Sequence, residues 1–428
     1  MGTKTSQKVW NANKTLYAIA IFIGIFMPCL IRVRMQYVML GIMLIYIIWK
    51  MISAPSITIY KTPVRMMAAF VPFYIYYTFL IISRVLAGGP NSSLYLVEYK
   101  QSLSITLYVI VMAFAIMLYR QSHEADLSAF FQMITAVTAM QLVFVVLAFA
   151  FPDVKTFLNS LIIKNSYNEA IISAMNMTGL LRWRGYGLAE NLFDGFGFVI
   201  SILISIVFVY GLSTEKKGIT ALACVMLIMP LLNARTGLIL CSVSFIYIMF
   251  KYLNVKRVIT FSLLIVFLVV SFLLMYKYLP YELQDALSRT VTEFSGLAQG
   301  QKVGVFIEIF GVDIVYPDNM LLGAGISPER ITSLTGIDSG YIQCLWRYGI
   351  MGSVLLWSGY ISSAVIAYKN TSLKSNKVIL VDLIMIMLIY CFKLFLFNSY
   401  ANNFLLFFIL FYIGLEQECT GNKVLQAY

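Results

Sequence analysis

Charge is scarce in this chain. Only 12% of its 428 residues are Asp, Glu, Lys or Arg, about half of the ~25% usual in soluble domains. With 61% hydrophobic residues and a mean hydropathy of +0.85, that scarcity excludes a soluble globular protein. Histidine is almost missing too. The single one, His123, sits in Arg120-Gln-Ser-His-Glu-Ala-Asp126, a short polar link between apolar runs, so neither long loop has imidazole chemistry. The cysteines, Cys29, Cys224, Cys241, Cys344, Cys391 and Cys419, are scattered and make neither a disulfide framework nor a metal site. A Walker A loop, an HExxH pair and a DxD-type acid pair for a nucleotide sugar and its metal are all absent. No metal and no cofactor are expected, and a transferase of this kind needs an activated donor other than a nucleotide sugar.

What fills the chain is one apolar run after another. Stretches of ~20 apolar residues match a hydrocarbon core of ~30 Å, and about twelve can be placed. They fall near 15–31, 36–53, 66–83, 102–119, 128–151, 191–212, 219–233, 236–253, 258–279, 346–367, 378–397 and 403–416. The expected fold is all-α, a polytopic membrane protein with spans in 1–151, 191–280 and 346–428 and long loops at 152–190 and 281–345. The first span is expected to be retained, because Arg32-Val33-Arg34 leads straight into the next one and no small-residue cleavage site intervenes. No repeat and no low-complexity linker divides the chain.

The net charge of +12 points to membrane orientation rather than to nucleic acid, since cytoplasmic loops collect Lys and Arg. With the N-terminus inside, Lys4, Lys8, Lys14, Lys50, Lys61, Arg65, Arg120, Lys216, Lys217, Lys251, Lys256, Arg257, Lys369, Lys374, Lys377 and Lys423 all fall inside. The short outer segments hold only Arg32, Arg34, Arg84, Lys100 and Arg235. Both termini are therefore expected in the cytoplasm and both long loops outside.

The first loop opens on an expected interfacial helix, with Val154, Phe157, Leu158, Leu161 and Ile162 at helical spacing and Lys155 and Lys164 at the headgroups. It closes on a glycine-rich run, Met177 to Gly187, that brings Arg182 and Arg184 to the sixth span. The second loop carries a short expected helix near Val303–Phe310, a turn at Tyr316-Pro-Asp-Asn319, glycines at Gly323-Ala-Gly325, and Ser327-Pro-Glu-Arg330 ahead of Gly336-Ile-Asp-Ser-Gly-Tyr341.

Arg182, Arg184, Arg235 and Arg330 are the candidate anion-binding groups, because guanidinium forks bind phosphate oxygens in pairs. Each has a plainer alternative as a headgroup-contacting arginine. Arg235 stands out because Leu232-Asn-Ala-Arg-Thr-Gly237 places it in a tight turn between two spans, where a membrane-edge charge is a functional candidate. Asp338 is the candidate base or hydroxyl-orienting group, with a helix N-cap as its alternative. Glu190 and Asp194 are within reach of the same site, or simply complement a helix N-terminus. Asp382 and Lys393 are read as snorkelling charges near the ends of one span.

Four short stretches resemble the O-antigen polymerase (Wzy-type) family of the O-antigen ligase and polymerase superfamily. They are Arg182-Trp-Arg-Gly-Tyr-Gly-Leu-Ala-Glu-Asn191, Asn233-Ala-Arg-Thr-Gly237, Leu322-Gly-Ala-Gly325, and Ile337-Asp-Ser-Gly-Tyr341 before Tyr348-Gly-Ile-Met-Gly352. With the span layout they cover most of the chain. Some family members pair an arginine with a glycine eleven positions later in each long loop; Arg184 and Gly195 keep that spacing, whereas Arg330 and Gly340 are one short. The ligase branch relies on a histidine in its large outer loop, where this chain has Asp338, so the resemblance favours a polymerase.

The resemblance implies a GT-C-like fold in the bacterial inner membrane with a metal-independent periplasmic active site. The substrates implied are undecaprenyl-diphosphate-linked glycans, in contact with membrane lipids, with a chain-length regulator and a flippase as protein partners. In that reading Asp338, Arg235 and Arg330 are catalytic, and Arg182, Arg184, Glu190, Asp194 and Tyr341 hold the diphosphate or the substrate. The alternatives are an O-antigen ligase, a lipid-linked glycan flippase or transporter, and a non-catalytic protein that sets chain length.

Overall fold

The computed structural model describes residues 12–29, 33–53, 58–88, 92–122, 127–162, 169–170, 172–173, 185–189, 192–233, 235–252, 316–327, 339–393 and 395–419, with 284, 288, 295 and 299. The described residues are helical with no strand, as the all-α expectation requires. The helices are α1 (Ala12–Phe26), α2 (Met35–Ser53), α3 (Lys61–Ala68), α4 (Val71–Leu86), α5 (Ser92–Ser122), α6 (Leu127–Ala150) and α7 (Pro152–Ser160). Beyond the first loop come α8 (Phe193–Ser213), α9 (Lys217–Met226), α10 (Ile228–Asn233) and α11 (Arg235–Lys251). The second loop is followed by α12 (Gly340–Lys369), α13 (Lys374–Tyr390), a 3-10 turn at Leu396–Asn398 and α14 (Tyr400–Gly414).

Six helical segments among the described residues are long and apolar enough to cross a membrane, and shorter apolar helices accompany them. Every expected span falls on a helix except the one near 258–279, which lies outside the described residues. Expected spans near 66–83, 219–233 and 346–367 are interrupted: α3 and α4 meet at Ala69-Phe70, α9 and α10 meet at Leu227, and α12 is broken at Gly349. In α8, 94% of the apolar window is buried against 22% in α2, which makes α8 the axis of the bundle and α2 part of its rim. α11, α9, α13, α6 and α10 surround α8, while α14 joins α5 and α1 to α12.

Packing in lipid gains little from hydrophobicity, because acyl chains are as apolar as leucine, so close fit and polar contacts decide the arrangement. At the crossing of α8 and α11 a Cβ on Gly237 would stand 2.8 Å from the Gly197 Cα, closer than any side chain allows. Two charges expected to snorkel are instead buried. Asp382 is 3% exposed and accepts a hydrogen bond from Ser244, which is itself 2.7 Å from the Ser205 hydroxyl. Lys393 is 8% exposed. The expected stripe on α7 is only partly kept: Leu158 and Ile162 are buried, Phe157 is exposed, and Lys155 turns inward.

A buried ion pair joins α5 to α12. Arg347 Nη1 lies 2.9 Å from Glu98 Oε2, both side chains are almost wholly enclosed, and the guanidinium rests 4.4 Å from the centre of the Phe395 ring. The contact is ionic without hydrogen-bond alignment, and among the described residues Arg347 Nε has no hydrogen-bond partner. Removing one member of such a pair leaves an uncompensated buried charge, which costs about 3–5 kcal/mol. Arg347→Met should therefore lower the melting temperature of the detergent-purified protein sharply, and Glu98→Gln in the same chain should restore part of the loss. Equal melting of the single and double variants would refute the pairing.

Candidate functional site

The end of the first loop is fastened to the corner between α10 and α11. The Gly185 N–H donates to Asn233 Oδ1 (2.7 Å), while Asn233 Nδ2 donates to the Met229 carbonyl one turn back (2.9 Å). Gln141 Nε2 on α6 donates to the Tyr186 carbonyl (2.6 Å), and the Tyr186 ring is fully buried edge-on to Phe193 and Phe196. One amide side chain thus holds the loop while completing its own helix. The stretch Gly185–Ala189 and the stretch Asn233–Gly237, separate in sequence, form one joint.

Asp194 belongs to the same joint. It lies in the first turn of α8, where an acid complements the helix dipole, and it accepts a hydrogen bond from the Thr236 hydroxyl. Thr236 follows Arg235, the first residue of α11. Arg184 lies outside the described residues, one peptide bond before the anchored Gly185, and Arg182 and Glu190 also lie outside them.

The second loop is fastened first by backbone. α12 is broken at Gly349, which has φ of +64°. The segment Asn319–Ala324 fits into the break: the Ala324 N–H donates to the Trp346 carbonyl (2.6 Å), and the Ile350 and Met351 N–H groups donate to the carbonyls of Met320 (2.9 Å) and Leu321 (3.2 Å). These bonds replace the helical ones that the break removes, as backbone in a membrane protein requires. A Cβ on Gly349 would collide with the Leu321 and Leu322 backbone, and one on Gly323 would stand 2.9 Å from the Leu345 carbonyl oxygen. Side chains on α4 close the joint: Tyr76 donates to the Leu322 (3.1 Å) and Tyr348 (2.9 Å) carbonyls, and Arg84 Nη2 donates to the Gly323 carbonyl (2.6 Å).

The two joints flank the end of α13. Tyr341, in the first turn of α12, donates its hydroxyl to the Leu388 carbonyl (2.7 Å), and its N–H reaches the Cys391 carbonyl (3.2 Å). Its ring packs on Trp357 and Phe392. On the other side of the same helix end, Tyr390 packs on Phe198 of α8 with ring centres 4.5 Å apart. Tyr341 is thus engaged by backbone and rings, in a role that fixes the start of α12. Asp338 and Arg330 lie outside the described residues, and Ser339 holds the N-cap position of α12.

Of the expected site residues, then, Asp194 and Arg235 belong to one joint and Tyr341 lies across the end of α13 from it. The residues that build the joints are Asn233, Thr236 and Gly349, which lie in stretches the sequence singled out without a role being read for them, and Gln141 and Tyr76, which sequence reasoning passed over. Arg347 and Glu98 were passed over as well. A signal for Arg347 was present, since an arginine inside an apolar span marks function or pairing. Among the described residues no group of His, Cys, Asp and Glu is arranged to hold a metal ion.

The Gly349→Ala variant should lose about 1–3 kcal/mol of stability, from the strained φ and the clash with Leu321, seen as a lower melting temperature. Gly41→Ala, where a Cβ meets nothing within 4 Å, should melt like the parent. Parental melting of Gly349→Ala would show that the docked segment is dispensable to the fold. In comparisons with known proteins, no family model and no curated protein matches this chain.

Proposed function

We propose that the chain is a membrane glycosyltransferase of the O-antigen polymerase type. It would lengthen a surface polysaccharide by moving the growing glycan from its undecaprenyl diphosphate to a sugar hydroxyl of a new lipid-linked repeat unit. The supporting observation is the Gly185–Asn233 hydrogen bond: Arg184 precedes one of its residues directly and Arg235 follows the other by two positions. Two guanidinium-bearing positions are thereby tied to one corner, with the Asp194–Thr236 bond beside them. A diphosphate is the leaving group that such a cluster of cations serves.

In the transfer, the bond between the anomeric carbon and the diphosphate oxygen breaks, and the electron pair leaves with the diphosphate. The acceptor hydroxyl oxygen forms the new glycosidic bond, and its proton passes to the Asp338 carboxylate. Arg182, Arg184, Arg235 and Arg330 neutralise the charge that grows on the diphosphate, a role that needs no metal. Glu190 orients the acceptor sugar, Asp194 holds the start of α8 against α11, and Tyr341 fixes the start of α12 behind Asp338. The distribution of Lys and Arg supports termini on the inner side of the membrane and the site on the outer side; the family resemblance would make that membrane the bacterial inner membrane and the outer side the periplasm. A chain-length regulator and a flippase would be its protein partners.

A transporter of lipid-linked glycans is the second reading, favoured by specific features: the break in α12, the enclosed Glu98–Arg347 pair and the buried Asp382. Broken helices and buried charges at membrane depth are what transport sites use. Reconstitution with purified lipid-linked repeat units separates the two. The polymerase lengthens the glycan without moving lipid between leaflets, in the presence of EDTA, and Arg235→Ala or Arg330→Ala lowers the rate on the order of 10²-fold or more. Unchanged polymer length and yield in both variants would sink the cation clamp, and lipid movement without lengthening would establish the transporter.

A further inference from the structure

At the end of the bundle that the distribution of Lys and Arg places inside, lysines from three helices gather over tyrosine rings. Lys374, the first residue of α13, holds its Nζ 4.9 Å from the centre of the Tyr252 ring, just past the end of α11. Lys377 Nζ stands 5.3 Å from the Tyr368 ring of α12, and Lys251 Nζ 5.7 Å from Tyr247, one turn back on its own helix. Lys369 is the last residue of α12. Because α13 packs against both α11 and α12, these ammonium groups belong to one surface.

The surface carries uncompensated positive charge. Among the described residues none of the four lysines is in an ion pair, and the sequence has no Asp or Glu from Lys251 to Tyr281 or from Lys369 to Val381. The carboxylates of this end are engaged elsewhere: Glu416 accepts from the Ser372 hydroxyl and from Asn376 Nδ2, and Glu418 from the Thr62 hydroxyl. The start of α13 adds to the excess. Its N-cap, Leu373, provides no side-chain hydrogen bond, and its first turn has Lys374 and Lys377 but no acid. Two cations therefore stand where the helix dipole calls for an anion.

Apolar stripes run from the lysines toward the middle of the bundle. On α13, Lys374, Lys377 and Val381 share one face at i, i+3 and i+7; on α12, Tyr368, Val365 and Ile361 share another at i, i−3 and i−7. Val381, Tyr368, Val365 and Ile361 are all exposed, and the Lys377–Tyr368 contact sets the two stripes side by side. We infer that this surface binds an anionic phospholipid of the inner leaflet, with its phosphate at Lys251, Lys374 and Lys377 and its acyl chains along the two stripes. Basic sites between helices on the inner side recognise such headgroups, and tyrosine rings sit at headgroup depth. The rings also hold the ammonium groups in place, so less side-chain freedom is lost when the phosphate arrives. A soluble phosphate would use the lysines but leave both stripes uncovered. The site is independent of the reaction at the outer end.

The test uses the full chain in neutral detergent, with lipid binding measured by native mass spectrometry. The parent should bind phosphatidylglycerol at least about tenfold more tightly than phosphatidylcholine, and the preference should shrink in about 0.5 M salt. Combining Lys251→Gln, Lys374→Gln and Lys377→Gln should cost phosphatidylglycerol binding about tenfold or more, whereas arginine at the same three positions should preserve it. Lys50→Gln, Lys216→Gln and Lys217→Gln together remove the same charge from other inner segments and should leave binding at the parental level. An equal loss in that second set would assign the effect to diffuse inner-side charge and overturn the site. Equal binding of the two lipids by the parent would overturn it too, as would competition by inorganic phosphate as effective as by phosphatidylglycerol. If the glutamine variant fails to fold, the parent's lipid preference and its salt dependence decide, and a preference untouched by salt refutes the site.

Discussion

A chain surrounded by hydrocarbon must satisfy its backbone polar groups internally, because no water is present to do so. The break in α12 at Gly349 meets that demand by exchange: amides and carbonyls freed on either side of the break pair with Met320, Leu321 and Ala324 of the second loop. The loop and the helix therefore hold each other. Either one alone would leave several peptide groups unpaired, each costing several kcal/mol in lipid. The glycines at 323 and 349 follow from the same constraint, since the two backbones approach too closely for a Cβ on either.

The buried charges obey a related rule. Glu98 faces Arg347, Asp382 accepts from Ser244, and Glu416 accepts from the Ser372 N–H and hydroxyl and from Asn376 Nδ2 at 2.7 Å. Each contact ties one helix to another, so the scarce polar groups set the register that apolar packing alone leaves loose. Glu416 and Glu418 organise one end of the bundle, joining α14 to the α12–α13 connection and to Thr62 at the start of α3. Asn233, Gln141 and Thr236 organise the end where the first loop docks. Loop anchoring and helix packing are done by the same residues, and an alteration at either joint is felt by both.

Much of this was legible in the sequence. Apolar runs of membrane length predict the helices, and those helices are found on the described residues, because hydrophobic length is a local property. The stretches around Gly185, Asn233, Gly323 and Gly349 were also visible as glycine- and asparagine-rich punctuation. Their pairing was not, since a hydrogen bond such as Gly185 to Asn233 spans 48 positions and leaves no periodic trace. Asp382 and Lys393 show the opposite error: charges near the ends of a span read as snorkelling, yet neighbouring helices enclose them.

The sequence by itself determined that the chain is helical and lies in a membrane, because a composition this poor in charge has no other stable solvent. It also marked the arginines, Asp194, Asp338 and Tyr341 as chemically notable. Only the tertiary structure decided that Arg235 starts a helix beside the Asp194–Thr236 bond, that Tyr341 is held by the end of α13, and that Arg347 has Glu98 opposite it. Those are relations between helices distant in sequence, set by which faces pack and where the backbone breaks, and they exist only once the bundle has closed.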